Sequence, residues 1–203
     1  RPGAPVVPSG EKKLRVVVIG GLEEVGRNCT MFEYGDDIIL IDLGLQFPEE
    51  DMPGIDYIIP NMSYLKGKEK NVRGVIITHA HYDHIGGIPH LIPMLGYPPI
   101  YGLPLTNAII KKRQEDYKGL RPLSLHNVGI KDKLTLGSFN IEFFHLNHNI
   151  PDSMGIIIRT AEGTIIHTGD WKFDYQPTGE EPADLQKIAK IGSEGVLALL
   201  SDS

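Results

Sequence analysis

The sequence predicts a mixed α/β chain in which short strands and helices interleave around one core. Three observations predict it. β-Branched or leucine-rich apolar runs of strand length recur at 14–19, 75–77 and 196–200. Between them lies a stretch of helical spacing, with apolar residues at Ile85, Ile88, Leu91, Ile92 and Leu95. The chain has 203 residues, 41% of them hydrophobic, enough to bury one good core, so one domain or a large piece of one is expected.

The totals narrow the class further. A net charge of −6 gives no overall basic footprint, although a local groove can be positive on an acidic protein. The single cysteine, Cys29, rules out an internal disulfide and points to a reducing compartment. No run approaches the length of a membrane span, so a cytoplasmic protein is expected. Without a signal peptide, the sequons at Asn28 and Asn61 read as coincidence.

Taken in order, residues 1–13 carry prolines and glycines without periodicity and read as a flexible leader, with 14–203 as the folded part. Residues 14–19 form the first strand. The glycine-rich GGLEEVGRN that follows fits neither phosphate-loop spacing and reads as a turn. Residues 30–34 and 38–41 make a hairpin about Gly35-Asp36-Asp37. Asp42 ends its second strand, where it either supports a metal-bound histidine from behind or accepts backbone N–H bonds in a turn; the residues alone leave both open. Residues 46–61, with three prolines, read as an ordered loop and 62–68 as a short helix.

The stretch 75–88, VIITHAHYDHIGGI, is a strand, a loop and a helix start. Three imidazoles and a carboxylate fall within six residues: His79, His81, Asp83 and His84. Neutral imidazole and ionised carboxylate are the ligands that suit zinc and similar ions. On an extended chain His79 and His81 share a face, and Asp83 and His84 can turn to a second position. Paired ions are the usual device for gripping attacking and leaving oxygens in a hydrolysis. A chance cluster of surface histidines is the alternative, and the spacing after a buried strand argues against it. The helix over 85–95 would aim its positive end at anionic ligands, with His90 solvated on its polar side.

Further on, 99–102 is a short strand and 104–116 a helix whose Lys111, Lys112 and Arg113 could meet phosphates but read better as a solvated face. Strands follow near 133–136 and 139–146, with His148 just past the second. His145 faces the other way and is the poorer ligand candidate. Residues 154–160 and 164–168 pair as a hairpin that leads to Asp170, a carboxylate well placed to bridge two ions, while His167 reads as a core or supporting histidine. Asp184 caps a helix over 185–191. A last buried strand, 196–200, delivers Asp202 one residue before the sequence stops, which suggests the first part of a longer protein.

The H-x-H-x-D-H pattern at 79–84 resembles the signature of the metallo-β-lactamase superfamily. Around it stand GGLEEVGRN, IDLGLQFPEEDMPGIDYIIPN, THAHYDHIGGIPHL, HNIPDSMGI, HTGDWKFD and LLSDS. Together, from about residue 15 to 203, they resemble the ribonuclease J family, a β-CASP branch of that superfamily. The resemblance implies an αββα sandwich, incomplete in this sequence, with two divalent ions, usually zinc and alternatively manganese. It implies that His79, His81 and His148 hold one ion, Asp83 and His84 the other, that Asp170 bridges them and that Asp42 supports the site. Asp83 would position a metal-activated hydroxide, and Asp202 would orient a general-acid histidine. The implied activity is RNA hydrolysis, as endonuclease and as 5′-to-3′ exonuclease favouring single-stranded 5′-monophosphate ends, by dimers or tetramers.

Departures accompany the resemblance. The family's last ligand histidine, its general-acid histidine and the β-CASP domain have no counterpart in this sequence, and Glu23 stands where relatives often place glycine. Two other readings are therefore carried: a small-molecule hydrolase on the same fold, such as a thioesterase or lactonase, and an inactive metal-binding fragment.

Overall fold

Alternation along the strands sorts the side chains into three cores, and the cores define four layers. The computed structural model describes residues 12–202. In β1 (Leu14–Gly20), β2 (Cys29–Tyr34) and β3 (Asp37–Ile41) the chain runs antiparallel; β4 (Val72–Ile76), β5 (Ile100–Gly102) and β6 (Leu125–Asn127) then add parallel strands in order. Within β2 and β3, Cys29, Met31, Ile38 and Leu40 face one side, and Phe32, Tyr34, Ile39 and Ile41 the other. Strands buried on both faces read as continuous apolar runs, which is how the sequence reads here.

The second sheet contains β7 (Lys133–Leu136), β8 (Phe139–His145), β9 (Met154–Thr160), β10 (Gly163–His167) and β11 (Ala198–Leu200), in the order β11-β10-β9-β8-β7. Phe139, Ile141, Phe143, Ile156, Ile158 and Ile165 meet Phe32, Ile39, Ile41 and Ile76 in the core between the sheets. Outside the first sheet lie α1 (Tyr82–Ile85), α2 (Ile88–Leu91) and α3 (Pro104–Gln114), which bury Ile85, Ile88, Leu91 and Ile110. Outside the second, Ile188 and Ile191 of α4 (Leu185–Glu194) cover Phe144, Ile157 and Ile166. This is the αββα sandwich. Asp184 caps α4 as expected, its Oδ1 accepting from Lys187 N at 2.9 Å.

Several expectations are corrected. The helix over 85–95 is two short helices broken at Gly86-Gly87. There the chain passes so close to 43–44 that a Cβ on Gly87 would lie 2.4 Å from the Gly44 carbonyl oxygen. A four-residue α1 has too little dipole to carry the argument about its positive end. His90 is not solvated; it is half-buried, stacked on Tyr57 at 4.2 Å. Arg113 leaves the solvated face to lie over the Tyr82 ring. The stretch 62–68 forms only 3₁₀ turns, over Met62–Leu65 and then Glu69–Asn71. β6 was not expected, because Leu125-His126-Asn127 has no apolar pattern. The last strand is not buried: Leu199 is 63% exposed on an outer strand of the described sheet. Of the leader, residues 1–11 lie outside the described residues. No helix among the described residues is long and apolar enough to cross a membrane.

One buried carboxylate ties the first sheet to the 3₁₀ turns. Glu33 is 4% exposed and accepts from Tyr64 Oη at 2.6 Å, Lys68 Nζ at 2.9 Å and an Arg15 nitrogen at 3.0 Å. Burial alone would push its pKa up, but these three donors outweigh it and hold the carboxyl below its usual range. Glu33→Gln is expected to cost on the order of 1–2 kcal/mol at pH 7, discounted because Arg15 and Lys68 keep 41% and 35% of their side chains in water. A depressed pKa means stability that is full above the unfolded value, about 4.3, and lost as pH falls through the lower folded one. Urea melts of both proteins should therefore differ at pH 7 and converge below about pH 4.

Candidate metal centre

Segments far apart in sequence meet where β3, β4 and β10 end. Asp42 follows β3, residues 77–84 follow β4, His148 comes after β8, and Asp170 follows β10. The backbone knits them: Asp42 N donates to Ile76 O at 3.0 Å, Asn28 N to Asp83 O at 2.9 Å and Leu43 N to His84 O at 2.8 Å.

Three imidazole nitrogens converge first. His81 Nδ1 lies 3.1 Å from His79 Nε2 and 3.2 Å from His148 Nε2. At a Zn–N length of about 2.0–2.1 Å, nitrogens on adjacent corners of a tetrahedron stand roughly 3.3 Å apart. The second group is His79, His84 and Asp170, whose ligand atoms all lie within 4.8 Å of one another. Asp170 Oδ1 is 3.2 Å from His84 Nε2, and its Oδ2 is 3.8 Å from His148 Nε2, so one carboxylate faces both groups. Asp83 Oδ2 stands 3.5 Å from His84 Nε2.

Asp42 accepts a backbone N–H bond and also contacts a histidine of the cluster. Its Oδ1 accepts from Thr78 N at 2.8 Å, and its Oδ2 lies 2.7 Å from His84 Nδ1 and 2.8 Å from Thr78 Oγ1. Thr78 Oγ1 is also 3.0 Å from His79 Nδ1. With the hydroxyl proton on Asp42, Oγ1 accepts from His79 Nδ1–H, so both histidines are held through Nδ1 and turn Nε2 toward the centre. Asp42 adopts φ +61°, a left-handed conformation that is uncommon without glycine and is held here by these bonds. Asp42→Asn is expected to weaken zinc binding roughly 10- to 100-fold, read by competition with a chromogenic chelator.

The electrostatics call for a cation. Burial opposes charge on His84, yet Asp42, Asp170 and Asp83 outweigh it and raise its pKa well above the ordinary value. Burial also opposes ionisation of Asp170, but the hydrogen bond and charge of His84 bring it to about 2. His79 is held down to about 3, chiefly by burial and then by the His84 charge, and burial lowers His148 as well. Imidazoles beside ionised carboxylates are a donor set suited to a divalent metal ion, and His79 and His148 are held toward the neutral form that binds one. Cys29 offers no competing thiolate, because burial drives its thiol pKa up.

The structure thus brings His79, His81, His84, His148 and Asp170 into two overlapping groups, with Asp83 beside His84 and Asp42 behind. Asp202 is exposed at the rim: its N donates to Thr168 Oγ1 at 3.2 Å, and its Oδ2 is 3.5 Å from Trp171 N. His145 turns away to Glu181 O at 2.8 Å. His167 stays behind the centre, its Nδ1 accepting from Gly169 N. Sequence reasoning missed Asn28, whose Nδ2 is 3.2 Å from Asp83 Oδ2 and 3.1 Å from His84 Nε2, and it missed Thr78. Glu23 has φ +56°, a left-handed conformation that glycine adopts without strain.

Comparison with known proteins agrees with this geometry. The metallo-β-lactamase superfamily pattern matches residues 22–187. Ribonuclease J 1 of Streptococcus pyogenes is 46% identical over 188 residues, 93% of this chain and 33% of that protein. Ribonuclease J of Thermus thermophilus is 41% identical over 197 residues, 94% of this chain and 34% of that protein. The chain therefore spans about a third of the length of these curated relatives. Among solved structures, unliganded yeast PDE1 superposes with a TM-score of 0.64 at 17% identity, covering 94% of this chain and 75% of that one, a likeness of fold alone. By sandwich, histidine loop and sequence match, the chain belongs to the metallo-β-lactamase superfamily.

Proposed function

We propose that this chain carries the metal centre of a ribonuclease and that the centre hydrolyses RNA phosphodiester bonds with two divalent ions, zinc or manganese. The observation that carries the reading is a pair of overlapping donor groups, His79-His81-His148 and His79-His84-Asp170, with the Asp170 carboxylate of the second also 3.8 Å from His148 Nε2 of the first. The relatives' name, ribonuclease J, across more than nine-tenths of the chain supports RNA as the substrate. In this reading His79, His81 and His148 hold one ion, and Asp83 and His84 the other. Such a pair supplies Lewis acidity toward the phosphoryl group and lowers the pKa of water.

The chain's own residues do the rest. Asp42 fixes the tautomer of His84 directly and that of His79 through Thr78. Asn28 Nδ2, 3.2 Å from Asp83 Oδ2, holds that carboxylate in place, where it would position a metal-activated hydroxide. Asp202, at the rim, would orient a general acid contributed by a later segment. Residues 14–203 are then the first part of the catalytic domain of a cytoplasmic dimer or tetramer, with the β-CASP domain separate from them.

The test uses single-stranded RNA labelled internally, with either a 5′-monophosphate or a 5′-triphosphate. The expected result is cleavage that EDTA abolishes and zinc or manganese restores, faster on the monophosphate. Turnover of lactones or thioesters with RNA left intact contradicts the proposal.

A further inference from the structure

Six side chains beside the metal loop form a surface that the hydrophobic cores do not use. Phe47 stacks on Tyr82 at 5.7 Å, and the Arg113 guanidinium lies 3.9 Å from the centroid of the Tyr82 ring. Tyr57 stacks on His90 at 4.2 Å, and Tyr117 meets His90 edge-on at 5.4 Å. An isolated bridge between Gln46 and Ile58 sets Phe47 and Tyr57 on neighbouring positions, and the charge of Arg113 reaches His90. The two stacks are therefore one surface, built from the 46–58 loop, the α1–α2 segment and the end of α3. None of its four aromatic residues belongs to the three cores, and Phe47 and Tyr57 are 65% and 41% exposed.

Two further features leave this surface short of internal partners. Arg113 forms no ion pair among the described residues, whereas its neighbour Lys112 is paired with Glu115. Arg113 Nε and His90 Nε2 are also buried atoms without a hydrogen-bond partner among them. Tyr82 lies in the metal loop, between His81 and Asp83 in sequence.

We propose that this surface is a stacking subsite for bases of single-stranded RNA on the path to the centre, with Arg113 meeting a phosphate. The choice of ligand rests on the nuclease reading. Bases have a π-face whatever their identity, and exposed aromatic rings beside an unpaired guanidinium are what sequence-tolerant single-strand binding uses. The exposed carboxylates of Glu49, Glu50 and Asp51 in the same loop repel phosphates. Bases therefore take the loop side and the backbone takes the Arg113 side.

The experiment is fluorescence anisotropy of a labelled single-stranded oligouridylate with the full chain, in EDTA so that binding is read without cleavage. Tyr57→Leu and Phe47→Leu should each weaken binding about tenfold or more, Arg113→Gln should weaken it and flatten its salt dependence, and Tyr57→Phe should restore wild-type affinity. Wild-type affinity in the leucine variants overturns the subsite, as does a change in their oligomeric mass without a change in RNA binding, which would mark a protein contact. Wild-type hydrolysis of bis(p-nitrophenyl) phosphate, followed separately with metal present, reports the centre itself. Its absence would count against the nuclease reading and leave the binding result to stand on its own.

Discussion

Asp170→Asn is expected to lower RNA hydrolysis by on the order of a thousandfold, the scale of several kcal/mol of lost transition-state charge stabilisation. The carboxylate is 3.2 Å from His84 Nε2 through one oxygen and 3.8 Å from His148 Nε2 through the other. Asparagine keeps the shape but offers one neutral oxygen and an NH₂ that faces a donor nitrogen. The variant should stay folded and bind one ion more tightly than the other, seen as a drop in tightly bound metal by elemental analysis. Full activity in Asp170→Asn contradicts the bridging role.

The second large effect lies in the scaffold. Gly44→Ala should destabilise the protein by about 3 kcal/mol or more, the upper end for overpacking. A Cβ there would sit 1.7 Å from the Asp83 carbonyl oxygen and 2.4 Å from Asn28 N. Both are backbone atoms, so no rotamer can relieve the clash. Those atoms share the 2.9 Å hydrogen bond that fixes Asn28 beside the centre, so metal affinity should fall along with the melting temperature. Gly192→Ala is the control. It lies in α4 with nothing within 4 Å of its Cβ, and the substitution should be neutral or stabilise by about 0.5–1 kcal/mol.

How much of this was legible follows from what each feature depends on. The histidine loop was legible because its candidate ligands are close in sequence and follow a strand. Asp42, His148 and Asp170 were placed because each follows a strand whose apolar run is plain. The hairpins and the Asp184 cap were legible for the same local reasons. Asn28 was not: a lone asparagine in a glycine-rich turn has no pattern, and its role comes from contacts 55 and 56 residues away. The split of the 85–95 helix was hidden because Gly86-Gly87 are dictated by the approach of residues 43–44, not by local preference. His90 was misread because a helical wheel cannot foresee Tyr57 arriving from the preceding loop. β6 is held by its parallel partner β5, with no apolar run of its own.

The central claim is a two-ion centre that cleaves RNA, and one titration tests it most directly. Metal-stripped full chain is titrated with zinc, and separately with manganese, while bound metal and cleavage of single-stranded RNA are read on the same samples. The account predicts that cleavage climbs with the second equivalent and reaches its plateau there, and that His79→Ala stays inactive throughout. Full activity at one equivalent, or in the presence of excess chelator, would contradict it.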